Sequence, residues 1–383
     1  RVVCLENTNG WAKATNVFSI RNNPLNIYAA AADTNDTIYV TGPGAADNWM
    51  ATSNAPINSL RTVFLRYDLE PDDRIWVDSG VYAESEPIRI SMKNSGTTST
   101  PVRVIGNWQL PYSRSVLARV SRVAGSSVLR MSYAGGVHFE NIMVSNAVAG
   151  IQADNSSLVT LERVRTAYCL TNALVGTATR MEFSRSIVEQ GLLVGVSAQY
   201  GSTVKLINSL LRDNGTAQVD LWGGNVEVKN SILAVAGTRK YAYRLNSASG
   251  SLASDYNNIR VTDGASVAAY TNRSDRFLID WQISSGFTRD KNSFGYNADF
   301  NNAEAMDFHP KSQYGRYDPA TGTYVTTDTN TSRLIDLGDP AHSYANEPTN
   351  NGGRINVGLY GNTDQASKSS GQGVLVPLTM SDG

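Results

Sequence analysis

Two cysteines, three histidines and sparse charge set the first limits on what these 383 residues do. Cys4 and Cys169 lie far apart, and neither a Cys-x-x-Cys pair nor a Cys/His spacing suited to zinc occurs. Two buried thiols are expected, rather than a disulfide or a metal centre. No apolar run reaches the roughly 18 residues that a membrane span requires. Basic and acidic residues nearly cancel, 33 against 34, and no basic stripe stands out, which argues against a nucleic-acid surface. Helical spacing is scarce too: apolar residues three and four apart recur only near residues 57–67.

What the chain has instead is a phrase that returns: apolar, any residue, Asn or Arg, an optional Ser or Asn, then an apolar run. It appears as Phe139-Glu140-Asn141-Ile142, Leu161-Glu162-Arg163-Val164, Phe183-Ser184-Arg185-Ser186-Ile187, Ile207-Asn208-Ser209-Leu210, Lys229-Asn230-Ser231-Ile232 and Tyr256-Asn257-Asn258-Ile259. The Asn/Arg positions are 22, 22, 23, 22 and 27 residues apart. Such a period marks a solenoid, whose units bury their apolar faces by stacking. Within each unit the pattern alternates, as in Thr203-Val204-Lys205-Leu206 and Asn225-Val226-Glu227-Val228, so the elements are strands. Three short strands and their turns fill one repeat, and the fold class is all-β: a single-stranded right-handed parallel β-helix of about 22-residue coils, roughly ten in number. The recurrent Asn is expected to bond its own turn and stack on its equivalents, with Arg163 and Arg185 interrupting that ladder where the bend is open to solvent.

The ends of such a stack need covers. Ser53-Asn54-Ala55-Pro56 followed by Ile57, Leu60, Val63, Phe64 and Tyr67 predicts a helix over about 56–67, capped by Asn54 or Ser53, across the N-terminal end. The runs Val17-Phe18-Ser19-Ile20 and Thr37-Ile38-Tyr39-Val40 read as strands leading in, and the segment from Asp275 to Ser312 as looser coils. The expected layout is a β-helix with its cap over 1–312, a second cap packed over the last coil in 313–366, and a linker or tail in 367–383. Because the chain opens on Arg1, a mature protein or a module of a longer one is expected, in an extracellular setting.

Two stretches carry a resemblance. Asp36-Thr37-Ile38-Tyr39-Val40 with Leu65-Arg66-Tyr67-Asp68-Leu69-Glu70-Pro71-Asp72-Asp73-Arg74-Ile75-Trp76-Val77-Asp78-Ser79-Gly80-Val81-Tyr82 is similar to the opening of right-handed parallel β-helix modules of very large secreted bacterial proteins. Asp336-Leu337-Gly338-Asp339-Pro340, Tyr344-Ala345-Asn346-Glu347-Pro348 and Asn351-Gly352-Gly353-Arg354-Ile355-Asn356-Val357-Gly358-Leu359-Tyr360-Gly361-Asn362-Thr363 resemble the choice-of-anchor Q segment that closes such modules. The resemblance implies a secreted or cell-surface β-helix, with polysaccharide or surface glycan and neighbouring domains as partners. It implies no one chemistry.

A polysaccharide lyase would need a Lys, Arg, His or Tyr base and a positive charge for the uronate carboxylate, and a hydrolase two facing carboxylates. On the strand 217–222, alternation turns Val219 and Leu221 inward and Gln218, Asp220 and Trp222 outward. The next coil offers Lys240 and Arg244, and earlier ones Gln199, Tyr200 and Asp154. Trp222 and Arg244 are 22 residues apart, one repeat, so they are expected on adjacent coils. Gln218, Asp220, Trp222 and Arg244 are the candidate ligand-binding residues of a non-catalytic glycan-contacting module. The rival reading is a lyase or epimerase using Tyr200, Lys240 or Arg244 near Asp220, and the bland one is a surface ion pair between Asp220 and Arg244. His309, in Asp307-Phe308-His309-Pro310, is read as structural; His138 and His342 stand alone. No cofactor is expected, although Asp72-Asp73, Asp33 to Asp36 and Asp336 to Asp339 offer oxygen ligands of the kind calcium takes.

Overall fold

The computed structural model describes residues 24–32, 38–46, 50–109, 112–113, 115–122, 126–247 and 249–371. Cys4, the run from Val17 to Ile20 and Asp33 to Asp36 lie outside them. Three sheets of nine, eight and nine strands run the length of the molecule, and each coil gives one strand to each sheet. Thr203–Ile207, Leu210–Arg212 and Ala217–Trp222 form one coil; they pair in parallel with Asn225–Lys229, Ile232–Ala236 and Tyr241–Leu245 of the next. The smallest sheet has eight strands, so complete coils among the described residues number eight, where roughly ten were expected. Inward residues such as Val204, Leu206, Val219 and Leu221 are fully buried in one continuous core. This is the stacked parallel β-helix that the repeat required.

The recurrent bend differs from expectation in its hydrogen bonding. Asn141, Arg163, Arg185, Asn208, Asn230 and Tyr256 all take left-handed backbone conformations, which Asn adopts with least cost. Tyr256, not Asn257, holds the last of these places. The amides form no stacked ladder. The residue after them does: the hydroxyls of Ser186, Ser209 and Ser231 accept from Val164 N, Ser186 N and Ser209 N at 3.1, 3.3 and 3.1 Å, and the Asn257 side chain continues the series on Ser231 N at 2.9 Å. Three of these inward groups are small hydroxyls, and at the last bend, where Tyr256 takes the left-handed place, the buried Asn257 amide fills the position. Asn208 and Asn230 instead hold distant chain, as described below.

Both ends are closed by short helices. Helix α1, Leu60–Arg66, buries Leu60, Val63 and Phe64, and its N-cap is Ser59, whose hydroxyl accepts from Thr62 N. It starts later than the expected Pro56 because Ile57 is spent in sheet-like pairing, its N–H bonded to Tyr28 O. Asn26–Ala29 adds a parallel strand onto Arg74–Val77. Residues 38–40 form no strand; the Asp78 carboxylate holds their N–H groups. The C-terminal end is covered by α2, Leu278–Ser284, where looser coils were expected. Its Trp281 is fully buried against Tyr243 and Tyr270 and donates to Asp290 at 2.8 Å.

After Phe294 and Tyr296 bond Asn257, Asn258 and Ile259 of the last coil, residues 298–371, which include the 313–366 expected as a second cap, leave that coil. They turn back along the flank of the second sheet and build a second core, in which Phe308, Leu334, Val357, Leu359 and Tyr360 pack on Ile187, Leu210 and Ile232. The sequence reason is local: Ile187-Val188, Leu210-Leu211 and Ile232-Leu233 are consecutive apolar pairs, so each strand buries both faces. Asn208 Nδ2 donates to Asn356 O and Gly358 O at 3.2 and 3.1 Å, and Asn230 Oδ1 accepts from Asp339 N at 2.7 Å. Of the 367–383 expected as a linker or tail, residues 367–371 are built in, with Ser367 buried and its hydroxyl on Pro310 O, and 372–383 lie outside the described residues.

Within this flank His309 is fully buried, stacked on Tyr360 at 3.6 Å, its Nδ1 2.6 Å from Asp307 Oδ1 and its Nε2 without a partner. Burial, outweighing the Asp307 hydrogen bond, pushes the imidazole below its ordinary range. Burial alone would raise Asp307, but the bonds from His309 and Asn301 hold it low. Both native groups thus bind fewer protons than their unfolded counterparts, so their contribution is present at neutral pH and lost on acidification. The melting temperature should fall as pH drops below the ordinary histidine range and further through the carboxylate range. His309→Asn should flatten the first limb in a thermal-melt series against pH.

Candidate functional site

The third sheet presents the residues singled out from the sequence. Strand Ala217–Trp222 keeps the expected alternation at Val219 and Leu221, but its outward side is not the open row foreseen. Gln218 is fully buried: its Oε1 accepts from Asn214 Nδ2 at 2.6 Å, and Asn214 in turn bonds Asn172 and Val188 O. These amides fill the corner between the second and third sheets, where a polar residue is enclosed whichever face it takes. Gln218 is thereby removed from the surface set.

Asp220 is only 2% exposed. It receives Arg244 Nε at 2.8 Å and Nη2 at 2.6 Å, Trp222 Nε1 at 2.8 Å, and the Asn246 amide. A bidentate guanidinium and two neutral donors occupy its acceptor sites. Hydrogen bonding to Asp220 raises Arg244 above its ordinary range. The ion pair read as the bland alternative is therefore present, with Asp220 enclosed and Arg244 half-buried. It also fixes an aromatic ring.

Arg244 lies across from Asp220, not from Trp222. The turn through Gly237 and Lys240 is two residues longer than the 22-residue repeat, which moves Arg244 back along its strand. Lys240 precedes Tyr241–Leu245 at the far end from Asp220, about 13 Å along the strand from Arg244 at the usual rise. Tyr200 is on the other side: it follows Val194–Gln199, Gln199 pairs with Trp222, and Tyr200 N donates to Trp222 O at 3.1 Å. Tyr200 is 67% and Trp222 41% exposed, two aromatic residues on adjacent coils at one rim of the sheet. The structure thus brings Tyr200, Trp222, Asp220 and Arg244 together and leaves Gln218 and Lys240 out.

A second concavity was not foreseen. Where the flank meets the bend of the earlier coils, a cavity of about 190 Å³ is lined by Asn141, Arg163, Arg185, Tyr360, Asp364 and Gln365, among others. Arg163 bonds Asn141, Glu162 and Glu140, and Arg185 bonds Glu162, so the charges are balanced in place. The sequence signal was the change from Asn to Arg in the repeated bend: Asn208 and Asn230 clasp the flank, whereas Arg163 and Arg185 bond Glu140 and Glu162 and line the cavity.

Among the described residues no group of three or more His, Cys, Asp or Glu side chains is placed to hold a metal ion. Cys169 is buried, and burial pushes its thiol up to about 11, so it is no nucleophile. Asp73 is a turn residue, accepting from Leu25 N and Glu70 N. No described helix is long and apolar enough to cross a membrane.

No curated protein sequence matches the chain. Among solved structures it is similar to a pectate lyase, with a TM-score of 0.46 and 14% identity over 88% of this chain and 96% of that one. Residues 127–280, the regular coils that carry the repeated bend and the third-sheet strands described above, match the family model of the right-handed β-helix region.

Proposed function

We propose that the protein is an extracellular β-helix module that contacts carbohydrate without cleaving it, through Trp222 and Tyr200 at the rim of the third sheet. The observation that carries this reading is the indole of Trp222, locked by its Nε1 bond to buried Asp220 while much of its surface stays exposed. An aromatic face held in one orientation at low entropic cost is what stacking on a sugar ring requires. Asp220 and Arg244 support the ring rather than the chemistry: each neutralises the other, so neither is free as base or as carboxylate clamp. The extracellular setting is proposed from the sparse charge and β-rich build.

The test is a panel of uronic-acid polymers and neutral glycans. The expected result is retardation of the protein in gels containing at least one of them, with no ultraviolet absorbance from unsaturated products. Product absorbance would establish the lyase alternative; absence of both signals would remove carbohydrate from the account.

A further inference from the structure

We propose that the flank binds a calcium ion between Asp336 and Glu347. Asp336 is 5% and Glu347 7% exposed, and both Asp336 oxygens and Glu347 Oε2 are buried without a hydrogen-bond partner. One asparagine joins the two residues: Asp336 N donates to Asn356 Oδ1 at 2.8 Å, and Asn356 N donates to Glu347 Oε1 at 2.8 Å. Asn362 N completes the Oε1 contacts at 2.9 Å. The Gly352 turn closes directly on the other carboxylate, since a Cβ at Gly352 would lie 2.2 Å from Asp336 Oδ2. Gly352 N–H and the Ser369 hydroxyl lie beside Asp336 without the alignment of a full hydrogen bond.

Burial pushes both acids up, Glu347 to about 7, so these enclosed oxygens are neutralised by protons unless a cation replaces them. Arg354, the nearby cation, is committed elsewhere, its Nε on Gly338 O and its guanidinium over the Tyr256 ring. Calcium fits better than magnesium, because it accepts irregular sets of carboxylate, hydroxyl, main-chain and water oxygens, whereas magnesium demands a near-ideal octahedron. Asp336 and Glu347 would give the side-chain carboxylates, and the hydroxyl of Ser369, beside Asp336, offers a further oxygen. Asp339, expected from the sequence as part of such a set, is instead paired with Lys229 at 2.8 Å. The ion would pin three turns of the flank to one another: those of Asp336, Glu347 and Gly352.

The experiment is calorimetric titration of chelator-treated full chain with calcium chloride, alongside thermal melts with and without the metal. The expected result is one site per chain, a higher melting temperature with calcium, little response to magnesium, and at least ten-fold weaker binding in both Asp336→Asn and Glu347→Gln. Glu347→Gln is near-isosteric and removes a buried charge, so it should fold even if Asp336→Asn does not. Absence of calcium heat in the native chain, or affinity unchanged in Glu347→Gln, would overturn the proposal.

Discussion

Trp281→Ala should destabilise the protein by about 3–5 kcal/mol, the range for emptying a large aromatic site in a packed core. Trp281 is the largest fully buried side chain of the described residues and sits between the last regular coil and solvent. Four interactions go with it: contact with Tyr243, contact with Tyr270, the Arg289 guanidinium over its ring and the Nε1 bond to Asp290. Asp290 is itself fully buried and would keep its bonds from Ser254, Ser293 and Asn257 while losing the indole. The loss should spread, since a coil is stable only against a neighbour and the uncovered end exposes strand edges. Chemical denaturation should show the lower midpoint, and light scattering should show aggregation that the native chain lacks.

Phe308→Ala should cost a similar amount, about 3–5 kcal/mol, but in a different place. Its ring is enclosed in the second core, edge-on to Phe300 at 5.3 Å and under the Arg212 guanidinium at 4.8 Å. Because that core lies outside the coil interior, the expected damage is release of the flank with the solenoid retained. Limited proteolysis should cut within 298–371 early, while the far-ultraviolet β signature persists. Loss of that signature together with the flank would show that the coils depend on it.

These two residues also mark where the sequence was legible and where it was not. The coil could be read because its information is local and repeated: alternation gives the strands, and the returning bend gives the period. α2 was missed because Phe277, Ile279, Trp281 and Ile283 alternate as a strand would, and only Trp281 of the four is buried while the others stay exposed. The flank was misplaced because its contacts cross about 150 residues of chain, as from Asn208 to Gly358. The apolar pairs at Ile187, Leu210 and Ile232 held the clue, since strict alternation would have left the first of each pair polar. At the candidate site, alternation placed Trp222 correctly but not Gln218, because the corner amides of Asn172 and Asn214 enclose it. A longer turn before Lys240 shifted Arg244 by two places, which one repeat length does not reveal.

The account rests most heavily on Trp222 as an oriented, solvent-facing ring. The most direct measurement is glycan affinity by gel retardation for the native chain, Trp222→Phe and Trp222→Ala, with a thermal melt of each. Trp222→Ala should weaken binding by about 1–3 kcal/mol, the usual loss for a stacking anchor, with Trp222→Phe in between and all three melts close together. Unaltered affinity accompanied by a marked drop in melting temperature would contradict it, making the indole a structural cover for Asp220 and not a contact for sugar.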